Sequence, residues 1–213
     1  MKNRILIVMP TRGRPWAALE AIASVMKHST GLADLIYCCD HDDPTFFRLE
    51  KEHVRCWYAP RRSFAQWVNM VVAKHLTDYE WFAWCADDIR YLTPGWDQKV
   101  VAHPELVVYG PDGIQNEKMA THPFIRAALP AAFGWLTPPE LKHGCMDVFV
   151  ESVGRHLGRL AYDPEIKLEH LHHSVGRSAY DLTYQEVDWE RDLTLWYEKI
   201  KPEIAAYAAQ VGS

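Results

Sequence analysis

Apolar residues fall along the chain in short, dense blocks. Arg4–Met9, Leu35–Cys39, Cys56–Ala59, Glu80–Ala86 and Leu106–Tyr109 are each too short for a helix and show little polar alternation. That pattern predicts strands buried on both faces, as in a parallel sheet. Between them lie stretches of helical spacing. Trp16–Lys27 follows Pro15, a good first-turn residue, and stops before Gly31. Phe64–His75 places Trp67, Met70, Val71 and Lys74 on one stripe, and Met146–Leu157 is closed by Gly158. Alternating strands and helices predict an α/β domain with a mostly parallel central sheet flanked by helices. Met119–Pro139 is too irregular for a long helix. Ile166–His173 alternates like a strand, which would put His170 and His172 on one face. A helical tail is predicted over Thr183–Ala209, broken at Lys201-Pro202, with Trp189, Leu193 and Trp196 as an apolar stripe for packing or self-association.

No linker or repeat interrupts this pattern, so the 213 residues form one domain. A formal charge of −5, from 23 Lys+Arg against 28 Asp+Glu, argues against a protein that coats nucleic acid. Nine Trp and ten Tyr fit a packed core or a stacking cleft. The five cysteines have neither disulfide-like pairing nor C-x2-C zinc spacing, and Cys38 and Cys39 lie in an apolar run as small core residues. The N-terminal apolar run is too short for a signal peptide and no stretch is long enough to span a membrane. The expectation is therefore a soluble, cytoplasmic chain.

The candidate chemistry sits where strands end, which is where open α/β sheets bind ligands. Pro10, Thr11, Arg12 and Arg14 follow the first strand and offer donors for a phosphate, or form a surface pair. Asp40, Asp42 and Asp43 follow the second, as acceptors for a base edge or ribose. Arg61 follows the third, and Asn69 lies off the apolar stripe of its helix, where it can face the same edge. Asp87 and Asp88 end the most buried strand. Two adjacent carboxylates there are costly unless a cation neutralises them, and their oxygens suit Mg2+ or Mn2+ with phosphates completing the shell. The other reading is an acidic loop or helix start. No GxGxxG and no GxxxxGK[ST] motif is present, which disfavours a dinucleotide fold and excludes a P-loop enzyme.

The opening ILIVMPTRGRP, the acidic loop YCCDHDDP, the helix SFAQWVNMVVAKH and the segment WFAWCADDIRYLTPGW together resemble the GT-A fold glycosyltransferases of the family 2-like type. The resemblance spans roughly residues 4 to 175. It implies a single Rossmann-like domain over 1–182, with a nucleotide-binding half (1–100) and an acceptor-binding half (101–182), followed by a helical extension (183–213). The pair Asp87-Asp88 looks like the family's strand-borne metal motif, usually Asp-x-Asp. Here Cys85 or Ala86 replaces the leading acid, which leaves Asp88 as the direct ligand and Asp87 toward the ribose or donor sugar. A late histidine is the family's further metal ligand, matched by His170 or His172, and imidazole favours Mn2+ over Mg2+. Asp147 stands where the family has its general base; a helix-capping acid is the alternative. Arg177, after Gly176, matches a loop folding over the diphosphate or a surface arginine, and Trp135 either a sugar platform or plain core.

The implied activity is metal-dependent transfer of a sugar, of the hexosyltransferase type, from a nucleotide-sugar to a hydroxyl acceptor, with inversion. UDP is the default nucleotide by resemblance alone. The acceptor is open among a glycan, a small molecule and a modified DNA base, and a homo-oligomer is compatible with the tail. The competing readings are a nucleotidyltransferase, which should carry a Gly-rich phosphate loop with a lysine after strand one, and a nucleotide-sugar-binding protein with a degenerate site.

Overall fold

The computed structural model describes residues 4–212. Its centre is a seven-stranded sheet in the order β3-β2-β1-β4-β7-β6-β8. The strands are β1 (Ile5–Pro10), β2 (Ala33–Asp40), β3 (Val54–Ala59), β4 (Trp81–Trp84), β6 (Val107–Tyr109), β7 (Phe124–Arg126) and β8 (Leu160–Tyr162). β7 runs against its neighbours β4 and β6; the other pairings are parallel. The predicted mixed α/β architecture with a mostly parallel sheet is therefore what the chain adopts.

Alternation along the buried strands divides the core in two. Leu6, Val8, Ile36, Cys38, Phe82 and Trp84 point to one face, where α2 (Phe64–His75) and α5 (Met146–His156) cover them. Ile5, Ile7, Met9, Leu35, Tyr37, Trp81 and Ala83 point to the other, beneath α1 (Pro15–His28) and α3 (Trp96–Ala102). Cys38 and Cys39 are both buried, and all five cysteines are free thiols. Because β1, β2, β3 and β4 are parallel, their carboxyl ends open on one edge.

Three elements differ from the sequence pattern. β5 (Ile89–Tyr91) was not expected so soon after the aspartate pair; it forms a two-stranded ribbon with β9 (Leu168–His170), and Ile89 lies opposite His170. β9 stops at His170 instead of running to His173, so side-chain alternation does not extend to His172. The tail is α6 (Leu182–Gln185), α7 (Trp189–Leu195) and α8 (Ile204–Gly212), and Lys201-Pro202 does not break it. Wider and tighter helical turns bridge Trp196–Glu203, and Pro202 occupies a first-turn position where its missing N–H is not needed. The Met119–Pro139 stretch holds β7 and the short α4 (Ala128–Phe133). Among the described residues no helix is long and apolar enough to cross a membrane.

Candidate active site

β4 is wholly buried, and the chain leaves it through Cys85, whose N–H is held by the carbonyl of Val8. The turn that follows carries Asp87 and Asp88, 5% and 7% exposed. The two carboxylates meet different surroundings. Asp87 accepts from Thr11 Oγ1 at 2.9 Å and from Arg14 Nη1 at 3.2 Å. Burial still outweighs these contacts and lifts its pKa to about 6. Asp88 accepts from the Tyr184 hydroxyl at 2.7 Å, and His170 Nε2 lies 3.6 Å from the same oxygen. Although burial opposes ionisation, His170 and then Tyr184 hold this carboxyl well below the usual range. Its other oxygen, Oδ1, is buried with no hydrogen-bond partner among the described residues.

His170 reaches Asp88 because the β5–β9 ribbon brings the two together: Leu171 N–H donates to the Asp88 carbonyl at 2.8 Å. A second acid flanks the same ring. Asp112 Oδ2 lies 3.5 Å from His170 Nδ1, and His170 N–H donates to the Asp112 carbonyl at 2.9 Å. Two residues before Asp112, Gly110 lets the Ile166 backbone pass close by, since a Cβ there would sit 1.8 Å from the carbonyl oxygen of Ile166. Asp112 also accepts the N–H groups of Ile114, Gln115 and Asn116 and the Thr121 hydroxyl. Desolvation would strip the proton from His170, but the two carboxylates outweigh it and raise its pKa to about 9. Beside it, edge-on at 5.0 Å, is His122, 8% exposed, with both ring nitrogens unpartnered; burial pushes its pKa down to about 3, so it is neutral.

His172 also comes close, its ring centroid 5.0 Å from that of His170. Its Nδ1 is 2.8 Å from Ser174 Oγ, where it caps a short turn, and burial with the charge of His170 lowers its pKa. Tyr184 links these groups. Its ring packs at 5.0 Å on His172 and 4.2 Å on His173, and the Arg14 guanidinium lies 4.3 Å above it. Arg14 is held in turn by a two-pronged pair with Asp181 at 2.7 and 2.6 Å.

Asp147 opens α5. Cys145, just before it, has φ 61° and provides no side-chain cap. The Asp147 carboxylate accepts from the N–H of Val148 at 2.8 Å and, among the described residues, has no cationic partner. Burial raises its pKa to about 6, the largest influence; helix-start N–H groups and the more distant charge of His170 act the other way. A carboxyl so placed changes protonation near neutrality.

The remaining candidates line the same edge or brace it. Asp40 is buried and accepts from Trp67 Nε1 at 2.9 Å and from Arg62 N–H at 3.1 Å, with Arg12 at 3.3 Å. Arg12 chelates exposed Asp42 at 2.7 and 3.2 Å, and Asp43 accepts from Gly13 N–H. Pro10 ends β1, and Thr11 N–H is tied to the carbonyl of Cys38. Arg61 pairs with Glu186 at 2.5 Å. Asn69 turns from the strand ends: its amide bonds the backbone of Leu136 and Thr137. Arg177 stands 3.7 Å from Glu169. Trp135 stacks on Phe133 at 4.6 Å and packs against Phe149 and Tyr207, as core.

Asp112, His122, Asp181 and Tyr184 were not singled out by sequence reading. Asp112 gave the one usable signal, an acid in a Gly-Pro-Asp-Gly turn at the end of a strand. The aromatic and acid of Tyr180–Tyr184 look like an ordinary helix start.

A cation suits this donor set in one respect: Asp88 Oδ1 is buried and unpartnered with an imidazole beside it. Among the described residues, no three His, Cys, Asp or Glu side chains converge as a ready-made metal cage. The protein would supply Asp88 and His170, and ligand oxygens the rest.

No protein-family model matches the chain, and no curated protein matches it by sequence. Solved structures do match by fold. The mannosyltransferase PcManGT of Pyrobaculum calidifontis, in complex with GDP-Man and Mn2+, has a TM-score of 0.59 at 13% identity, over 99% of this chain and 74% of that one. S. aureus TarS residues 1–349 give 0.58 at 12%, over 95% and 74%. A Drosophila β1,4-galactosyltransferase 7 mutant in complex with manganese, UDP-Gal and xylobiose gives 0.55 at 12%, over 88% and 80%. By fold the chain is similar to these glycosyltransferases: it has a GT-A-like fold.

Proposed function

We propose that this protein is a metal-dependent glycosyltransferase that moves a sugar from a nucleotide-sugar, UDP-linked by default, to a hydroxyl acceptor with inversion. The observation that carries the reading is the meeting of Asp88 and His170 at the carboxyl end of β4, with one Asp88 oxygen buried and free. Asp88 and His170 would hold Mn2+ or Mg2+, with His172 alongside. The ion, when bound, supplies positive charge against a departing diphosphate. The use of Mn2+ and nucleotide-sugars by the mannosyltransferase and galactosyltransferase of like fold supports the same donor chemistry here.

The residues divide the work as follows. Asp40, Asp42 and Arg12 face the base and ribose from the ends of β1 and β2. Thr11 and Arg14 fix Asp87 at the donor side, and Arg177 borders the loop after the histidines. Asp147 takes the proton of the acceptor hydroxyl as that oxygen attacks the anomeric carbon, and its pKa of about 6 keeps it ionised at neutral pH yet basic enough for the task.

A second reading has one observation in its favour. His170, protonated between Asp88 and Asp112, is itself a cation in this site, as a nucleotide-sugar-binding protein without catalysis could use. Calorimetry with UDP and with GDP, with and without Mn2+, followed by a donor-hydrolysis assay, separates the two. Mn2+-dependent nucleotide binding with hydrolysis supports the enzyme. Metal-independent binding without hydrolysis supports the binder, and no nucleotide binding at all overturns both.

A further inference from the structure

The tail is more than packing for the sheet. α7 carries Asp192, whose residue is 0% exposed. Its carboxylate accepts three consecutive backbone N–H groups: Lys142 at 3.1 Å, His143 at 2.8 Å and Gly144 at 2.8 Å. Arg191 Nη1 adds a fourth contact at 2.6 Å. Three successive amides aimed at one buried carboxylate fix the conformation of the segment that bears them, and the Gly144 N–H among them would otherwise be an unpaired buried donor. That segment is the turn that starts α5, and Asp147 follows it by one helical step. The turn has no side-chain cap of its own, and its last residue, Cys145, adopts a left-handed conformation.

The same turn is gripped elsewhere. The Lys142 carbonyl accepts from Ala65 N–H at 2.9 Å, at the capped start of α2. Arg191 Nη2 donates to the Glu140 carbonyl at 2.7 Å. Trp189 covers Gly144 so closely that a Cβ there would lie 3.1 Å from its ring. His143 is clasped between Phe64 and Trp189, each ring centroid 5.3 Å away.

We propose that Asp192 is a positioning residue for the transfer reaction: from α7, its carboxylate sets the 142–145 turn and through it the aim of Asp147 at the acceptor hydroxyl. The proposal rests on Asp147 being the base. Its physical cause is that a misplacement of about 1 Å in a reacting group costs about a hundredfold in rate. Asp192 touches neither donor nor acceptor, so its removal should act on the chemical step and spare donor binding.

The test uses the full chain with Asp192→Ala and Asp192→Asn, each assayed well below its melting temperature. The expected result is a kcat lowered about 10- to 100-fold in Asp192→Ala and by less in Asp192→Asn, which keeps one acceptor oxygen, with the calorimetric Kd for UDP and Mn2+ unchanged. A second readout needs no turnover: the carboxyl titration of Asp147, followed by carbon NMR, should move by about half a pH unit or more in Asp192→Ala. A folded variant with wild-type kcat and an unmoved titration overturns the proposal. Should the wild type show no transfer, the glycosyltransferase reading fails by itself and the NMR arm alone decides whether Asp192 governs Asp147. Should Asp192→Ala not fold, Asp192→Asn is judged by the same two criteria.

Discussion

The two halves of the sheet are built by different rules. β1, β2 and β3 are six, eight and six residues long, and with β4 they pair in parallel with continuous register. β5 through β9 are three residues each and include an antiparallel insertion. The first half is a scaffold that local sequence specifies. The second, together with the tail, delivers single side chains to the scaffold's open edge, and does so over long separations: from the tail, Tyr184 reaches Asp88 across 96 positions, and Asp181 reaches Arg14 across 167. Regular burial makes the frame, and sparse polar contacts make the site.

The sharpest break between the halves should come from Asp147→Asn. The amide keeps the shape and the contact with Val148 but cannot take a proton. Transfer should fall about 10²- to 10⁴-fold, while nucleotide binding at the first half stays as it was. Initial rates and calorimetry on the same sample check both parts; full turnover would remove Asp147 from the role. In the wild type, kcat/KM should decline as pH drops through about 6, where the Asp147 carboxyl gains its proton.

Arg14→Ala should have the next largest effect, and on stability. Arg14 joins the halves, since it pairs with Asp87 from the scaffold and Asp181 from the tail. Without it the buried Asp87 keeps only its contact with Thr11. Removing one partner of a buried ion pair costs about 3–5 kcal/mol. Chemical denaturation should show a loss of that order; less than about 1 kcal/mol would mean that Asp87 is neutral in the folded state.

Why the frame was legible and the site only partly so follows from these contacts. A run such as Ile5–Met9 can only be buried on both sides, and its end must face solvent or ligand, so the edge bearing Thr11, Asp40 and Asp88 was predictable from hydrophobicity. Asp112 showed only as an acid in a turn after a strand, and Tyr184 and Asp192 gave no such sign. Each lies in a short polar segment whose local pattern is that of any turn or helix start, and its part depends on which distant strand or turn it meets. β5 was missed for the same reason: three residues between an acid pair and a Thr-Pro-Gly turn carry too little periodicity to read. His170 stands out in the sequence by its place near two other histidines, while its contact with Asp112 joins distant segments and shows only in three dimensions.

A smaller effect concerns pH and His170. Its folded pKa is raised to about 9 by Asp112 and Asp88, above the ordinary 6.5. A raised histidine pKa stabilises the fold fully below about 6.5, and that stability is lost as pH rises through 9. The linkage amounts to on the order of 3 kcal/mol. Cys56, lowered to about 7 chiefly by Cys39, titrates over part of this window with the opposite sign. The measurement is therefore a difference: metal-free wild type against His170→Asn, unfolded in urea from pH 6 to pH 9.5. The wild type should lose its advantage across that range, and parallel curves would show that His170 carries no charge between the two acids.

The smallest effect should come from Arg61→Ala. Arg61 and Glu186 also tie the first half to the tail, at 2.5 Å, but each side chain is 48% exposed. Water screens such a pair and the side chains lose freedom in forming it, so its worth is about 0–1 kcal/mol. Tail and scaffold are thus joined by two contacts of like charge type and unlike depth, and the contrast between Arg14 and Arg61 measures what depth contributes. Arg61→Ala should change denaturant stability by less than about 1 kcal/mol and lose even that in high salt. If it matched Arg14→Ala, the tail would be held by surface charge, and a buried network of Arg14, Asp181, Tyr184 and Asp88 would no longer explain why the histidines stay beside the acids of β4.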